Sequence, residues 1–433
     1  MTGDARRTRR ARWWILAIPA LLYFVSYFHR IAPVVVASDL MRAFSVSAAT
    51  LGSLSAVYPY CFAAMALPGG SLADTLGPRR TLALGGLAMS AGAVLFGLAE
   101  SFGVALAGRL FVGLGASVIL IAALRLAADW FRTDEFATVS GGSQAVGSIG
   151  ALMGTTPFAL LVEQMGWRLS FVTIGALTAA LAAGCLVVVR DRPESLGLPP
   201  VNPGRPGPAP GLREVLAGIP AVVGNPKSWA AVLVSTGVYG AFVSFFGLWG
   251  VPFLTQVYGL SRVSASSVIA AGAAGLLVSA PLVGWLSDRV LGRRRPLLIA
   301  GTSLFAAGWA VLAVPAERLP VGAIWPLCFL LGAGTAVVVL VFACVREVND
   351  PRYVGIALGF HNLPVFLAFA LMQWLTGVIL DAHWEGAVEA GTRIYPLGAY
   401  RAAFALCLAV SLGSLVCACL VTETRCRNIW TRR

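Results

Sequence analysis

The sequence is poor in charge. Only 12% of its 433 residues are Asp, Glu, Lys or Arg, against about 25% in a soluble globular domain. Histidine is scarcer still, with three in the chain. No spacing resembles a metal site. The eight Cys lie mostly in apolar runs (Cys61, Cys185, Cys328, Cys407, Cys417) and read as small apolar residues without a disulfide framework. No nucleophile constellation or nucleotide loop is present. These absences speak against an enzyme and leave no motif for a cofactor, a metal or ATP. Arginines precede the first long apolar segment, yet no small-residue cleavage pattern ends it promptly, so no cleavable signal peptide is expected.

What the chain has instead is apolar residues, 58% of the total, and a mean hydropathy of +0.82. That fits a solvent that is mostly lipid. A net charge of +13 would suggest nucleic acid in a soluble domain. Here the arginines sit in short loops between apolar runs, so membrane lipid is the expected partner and nucleic acid is not. Crossing the hydrocarbon core takes roughly 20 apolar residues, and twelve stretches qualify: about 13–36, 49–69, 80–98, 104–128, 136–161, 168–190, 229–255, 264–287, 296–315, 321–345, 353–380 and 398–421. Lipid offers backbone groups no partner, so each is expected to be helical. Abundant glycine suits close helix packing.

Arginine distribution sets the expected orientation. With the N-terminus cytoplasmic, that side receives Arg6 to Arg12, Arg79, Arg80, Arg289, Arg293 to Arg295, Arg346 and the C-terminal arginines, while the other receives few, such as Arg42, Arg262 and Arg393. Both ends are then cytoplasmic. The one long polar stretch, Arg190 to Glu214, is too rich in Pro and Gly for a regular element. It divides the chain into a bundle over 1–190, a cytoplasmic linker over 191–228 and a second bundle over 229–433.

The loops after the second and eighth spans repeat each other. "GGSLADTLGPRR" begins at Gly69 and "VGWLSDRVLGRRR" at Val283. Gly70, Leu72, Asp74, Arg79 and Arg80 match Gly284, Leu286, Asp288, Arg293 and Arg294, each pair 214 residues apart (284 minus 70). Five matches at one offset, the Asp included, indicate a duplicated six-helix unit rather than a basic loop with an incidental acid. Parallel repeats are a feature of transporters, with the substrate site near the midplane between the halves. The Asp can accept hydrogen bonds from helix N-termini or pair with Arg, latching one state.

These motifs carry a resemblance. "GSLADTLGPRR" resembles the loop motif of the major facilitator superfamily, and "GRLFVGLGAS", Gly108 to Ser117, is similar to its fourth-helix motif with Arg109 as the buried cation. The resemblance implies an all-α membrane protein of twelve transmembrane helices in two pseudo-symmetric six-helix bundles. "YFHRIAP", "LRLAADWF", "RDRPESLGLPP" and "GWLSDRV" look like the organophosphate:phosphate antiporter branch. That branch implies a phosphate clamp of two Arg and a His. Arg30 matches the first Arg, Val243 stands at the second and Gln144 at the His. A single Arg fits a carboxylate better than a dianion. The fifth span lacks the Gly-Pro pair of the drug-exporter signature, which disfavours drug export.

Ionisable groups inside a membrane cost about 2.5–3.5 kcal/mol or more at a helix centre and usually face a cavity or a partner. Tyr23, Tyr27 and Arg30 follow i, i+4, i+7 spacing and share one face of span one. Arg30 is expected to bind an anionic group there; the alternative is that it reaches the interface near Asp39. His29 lies one position off that direction. Aligning span eleven on span five matches His361 to Gln144 and would face them across the cavity, with His361 a candidate for proton coupling. Asn362, Gln373 and Tyr239 are further candidate lining residues. Arg109 and Arg125 are expected to be structural buried charges, with Asp129 or Glu135 as partner to Arg125. The expected function is secondary transport of a small anionic solute by a monomer in the inner membrane. A drug or metabolite exporter and a transporter-like ligand sensor are the alternatives.

Overall fold

The computed structural model describes residues 3–65, 68–131, 136–201, 212–314, 319–350, 353–389 and 391–430. Ten helices among them are long and apolar enough to cross a membrane, and the bent pair Ala37–Phe44 and Ala48–Met65 makes an eleventh span. One of the ten, Ala145–Val188, has 44 residues. A straight helix of that length would run about 66 Å, twice the roughly 30 Å hydrocarbon core. It is broken at Gly166, whose φ of 77° and ψ of 160° are non-helical. Glycine takes that conformation without a Cβ penalty. The break separates the fifth and sixth spans, giving the twelve expected from the sequence.

The remaining spans are Gly3–Val35, Pro78–Gly97, Phe102–Trp130, Pro226–Tyr258, Arg262–Leu291, Arg295–Ala313, Val321–Val348, Val354–Ala382 and Leu397–Leu420. Two are wound into π-helix for part of their length, over Phe245–Trp249 and Leu286–Leu291. A short antiparallel hairpin, Val388–Glu389 with Thr392–Arg393, precedes the last span. The linker is less irregular than its composition suggests. Pro193–Leu196 forms a 3-10 turn and Leu212–Val223 a helix, because its Pro and Gly concentrate between these two elements.

Contacts divide the chain into two compact units. The first joins Met1–Ala32 to Tyr60–Ala209. Within it, the third and fourth spans cross at Gly92 and Gly108, where a Cβ on Gly108 would lie 2.8 Å from the Gly92 carbonyl oxygen. The third span also meets the sixth, where the Ser90 hydroxyl donates to the Gly175 carbonyl at 2.8 Å. The second unit joins Pro33–Pro59 to Pro210–Arg433. Its centre is an aromatic cluster of Phe245, Phe253, Trp309, Tyr400 and Phe404, with ring centroids 5.0–6.2 Å apart.

The third–fourth crossing depends on bare glycine, since lipid supplies no hydrophobic drive between helices. Gly108→Leu is therefore expected to destabilise the protein by about 1–3 kcal/mol through overpacking. A lowered melting temperature in detergent checks this; wild-type melting would show that the crossing does not need close backbone approach.

Candidate functional site

Span one presents its candidates as one group. The rings of Tyr23 and Tyr27 meet edge to face at 5.0 Å. The Arg30 guanidinium carbon lies 5.5 Å from the Tyr27 ring centroid. That is within range of a cation–π attraction. Arg30 is 8% exposed, Tyr23 3%, and Tyr27 half-buried. The fifth span closes on this face through Gly147, where a Cβ would sit 2.7 Å from Tyr23 Cε1 and 3.2 Å from Tyr27 Cδ2. Asp39 is engaged with Arg262 in a 2.6 Å ion pair.

His29 points elsewhere. It is fully buried, close to Phe28 and Phe171. Neither ring nitrogen has a hydrogen-bond partner among the described residues. Its backbone carbonyl accepts from Arg109 Nη1 at 2.9 Å. Arg109 is itself 3% exposed and so ties the fourth span to the residue preceding Arg30. Arg125 pairs with Asp129 at 2.7 Å, one turn along the same helix. The side chain of Gln144 lies outside the described residues, as does Glu135.

In the second unit the candidates form two separate groups on span eleven. The Gln373 amide donates from Nε2 to the Val243 carbonyl at 3.2 Å, and its buried Oε1 has no partner among the described residues. One turn on, Thr376 meets Ser244 at 2.9 Å between hydroxyl oxygens. Trp249 lies alongside, with its Nε1 3.5 Å from the Gln373 carbonyl. The seventh span is π-helical immediately after Ser244, and such local rewinding is frequent at functional sites. His361 is twelve residues earlier, about 18 Å away along the helix. It packs inside the unit, with Nε2 2.7 Å from the Ser235 hydroxyl and its ring edge-to-face with Phe342 at 4.4 Å. Asn362 beside it is half-buried. Tyr239 meets Phe369 edge to face at 6.4 Å.

The repeated loops are built around carboxylates that the motif does not contain. In the first unit the Arg79 amide donates to Asp191 at 2.7 Å, and its guanidinium donates to the Leu186 carbonyl. Arg80 is exposed. Gly70 lies in the helix Pro68–Thr75, and the side chain of Asp74 lies outside the described residues. In the second unit Asp288 pairs with Arg294, and Arg294 Nη2 donates to Glu347 at 2.8 Å. Gly284 stands in open space and Arg293 is exposed. The amides of Arg294 and Arg295 both donate to Glu423 at 3.0 Å. Asp191 and Glu423 occupy equivalent places, three residues beyond the last helical residues Val188 and Leu420.

Residues 20–261 and 240–430 both match the Major Facilitator Superfamily. The chain belongs to this superfamily. Its relatives include the probable L-galactonate transporter of Escherichia coli strain K12, 27% identical over 88% of this chain and 86% of that protein. Another is the membrane sensor protein UhpC of Salmonella typhimurium strain LT2, 25% identical over 87% and 88%. In fold the chain is similar to a bacterial homolog of the human lysosomal transporter Spinster, crystallised inward-facing and occupied, with a TM-score of 0.72 at 19% identity and 95% coverage of both chains. The protein is thus a multi-pass membrane protein of a transporter superfamily and not an enzyme.

Sequence reasoning about this superfamily member missed Ser235, Thr376, Glu423 and Asp191. The last two had a signal: an acidic residue at the same place after each bundle's final span. Burial alone would raise the Glu423 pKa, but the amides of Arg294, Arg425, Arg295 and Thr424 outweigh it and hold the carboxyl below its usual range. A lowered folded-state pKa contributes stability above the unfolded value, about 4.3, that is lost as pH falls through the folded one. Glu423→Gln is expected to melt below wild type at neutral pH, with the gap closing as the pH is taken below about 4. A gap that stays constant with pH would contradict the assignment.

Proposed function

We propose that the protein is a secondary active transporter of a small polar organic anion, such as a carboxylate, an amino acid or an organophosphate. It works by alternating access of two six-helix repeats, 1–190 and 229–433, joined by 191–228. The excess of arginine in one set of loops supports an inner-membrane orientation with both termini cytoplasmic. The observation that carries the reading is Arg30, a buried guanidinium inside an apolar span, with the Tyr27 ring beside it and Tyr23 packed on Tyr27. A group so costly to place in lipid usually serves a polar pathway. The relative named for L-galactonate, a carboxylate, supports the same solute class. Arg109 holds the backbone of span one in register beneath Arg30. Gln373, with a buried acceptor left over, and Tyr239, Asn362, His361 and Gln144 remain candidates for the uncharged part of the solute. Gly70, Asp74, Arg79, Arg80, Gly284, Asp288 and Arg293 serve the conformational cycle. The protein acts as a monomer.

A second reading has one specific support, the resemblance to a protein named as a membrane sensor. In that reading the same residues bind a solute without carrying it. Binding comes first in both. A thermal-shift screen of purified protein against carboxylates, amino acids and sugar phosphates is expected to find stabilising anions. Arg30→Gln should weaken them ten-fold or more, the effect of losing one charge-assisted contact of about 1.5–3 kcal/mol. Equal affinity in the variant, with normal yield and melting, would remove Arg30 from the site.

A further inference from the structure

The loops opposite the arginine-rich ones hold a third carboxylate on a helix start. The helix Ala48–Met65 begins with two amides aimed at Asp381, the penultimate residue of the eleventh span. Ala48 N lies 3.1 Å from Oδ1 and Ala49 N 2.7 Å from Oδ2. Oδ1 also accepts from the Tyr395 hydroxyl at 2.8 Å and from Arg393 Nη1 at 3.2 Å. Burial and the neighbouring Asp381 push the Tyr395 phenol above its usual range, so it keeps its proton at neutral pH. Beneath this cluster the two helices touch through bare backbone. A Cβ on Gly52 would lie 2.6 Å from the Gln373 carbonyl oxygen, and one on Gly377 would lie 2.5 Å from that of Ala48. Around it, Asp39 pairs with Arg262, and Arg42 donates to Thr392 at 3.1 Å.

These contacts bear on a mismatch between repeat and packing. By the sequence repeat, residues 33–59 belong to the first six-span module. By contact they belong to the second unit. A cycle that moves one repeat against the other has to detach them. What holds them is suited to that. Glycine-on-backbone contacts part without repacking side chains, and a carboxylate and two amides regain hydrogen bonds from water once exposed. A carboxylate on a helix N-terminus is favourable through both charge and hydrogen bonds.

We propose that Asp381 is a releasable cap on the second span, the latch that keeps the arginine-poor side closed. This rests on the alternating-access reading but on no knowledge of the solute. It is tested by hydrogen–deuterium exchange of the full chain in nanodiscs. Asp381→Asn keeps the shape and removes the charge. Exchange at the Ala48 and Ala49 amides is expected to rise about ten-fold, the loss of one charge-assisted contact. Protection at the opposite loops, around 76–81 and 286–295, should rise at the same time, because opening one side closes the other. Gly52→Leu, which wedges the same crossing, should give the same opposed pattern, and Asp381→Glu should restore wild-type exchange. Faster exchange at both sides would mean simple loosening and would overturn the proposal, as would unchanged exchange at Ala48 and Ala49. The solute screen with Arg30→Gln is independent of this outcome, so the two readings fail separately.

Discussion

A carboxylate seated on the first amides of a membrane-spanning helix is the interaction on which this protein's loops depend. Among the described residues it occurs three times: Asp191 on Arg79, Glu423 on Arg294 and Arg295, and Asp381 on Ala48 and Ala49. The first four amides of any helix lack intrahelical partners. At a bilayer surface a short loop has few ways to satisfy them, and the chain has only 19 acidic residues with which to do so. Spending them at helix starts also binds distant segments together. Asp191 joins the third span to the end of the sixth, and Glu423 joins the ninth to the end of the twelfth. Each repeat is thereby closed by its own last residues.

The repeats then diverge. In the second, the tail after span twelve continues onto the inner network, with Thr424 donating to Glu347 and the Ile429 amide donating to the Glu347 carbonyl at 2.8 Å. Arg425 and Cys426 sit in left-handed backbone there, at φ of 52° and 58°. Non-glycine residues take that conformation at a cost, so the surrounding hydrogen bonds fix the tail's path. Charge within the spans is handled differently. Arg109 donates to a backbone carbonyl, and the Arg30 guanidinium lies against an aromatic face.

Much of this was legible in the sequence because it is local or repeated. Apolar run length marked the spans, and the 214-residue offset marked the paired loops. Gly166 lies in the predicted gap between spans five and six. The i, i+4, i+7 spacing of Tyr23, Tyr27 and Arg30 needed only helical geometry. Contacts between distant segments were not legible. Nothing near Asp381 in the chain points to Ala48, 333 residues away. The helix Ala37–Phe44 escaped notice because it is short and amphipathic. His361 could be aligned with Gln144 by the repeat, but alignment does not say which way a side chain turns. Its contact with Ser235 depends on how spans seven and eleven pack.

The central claim is that a gradient drives a small anion through this protein by way of Arg30. The direct measurement is counterflow of a radiolabelled carboxylate into proteoliposomes preloaded with the same unlabelled anion and free of nucleotide. The account predicts saturable, transient accumulation that disappears in Arg30→Gln. Tight binding of the anion with no accumulation in the wild-type protein would contradict transport and leave a sensor in its place.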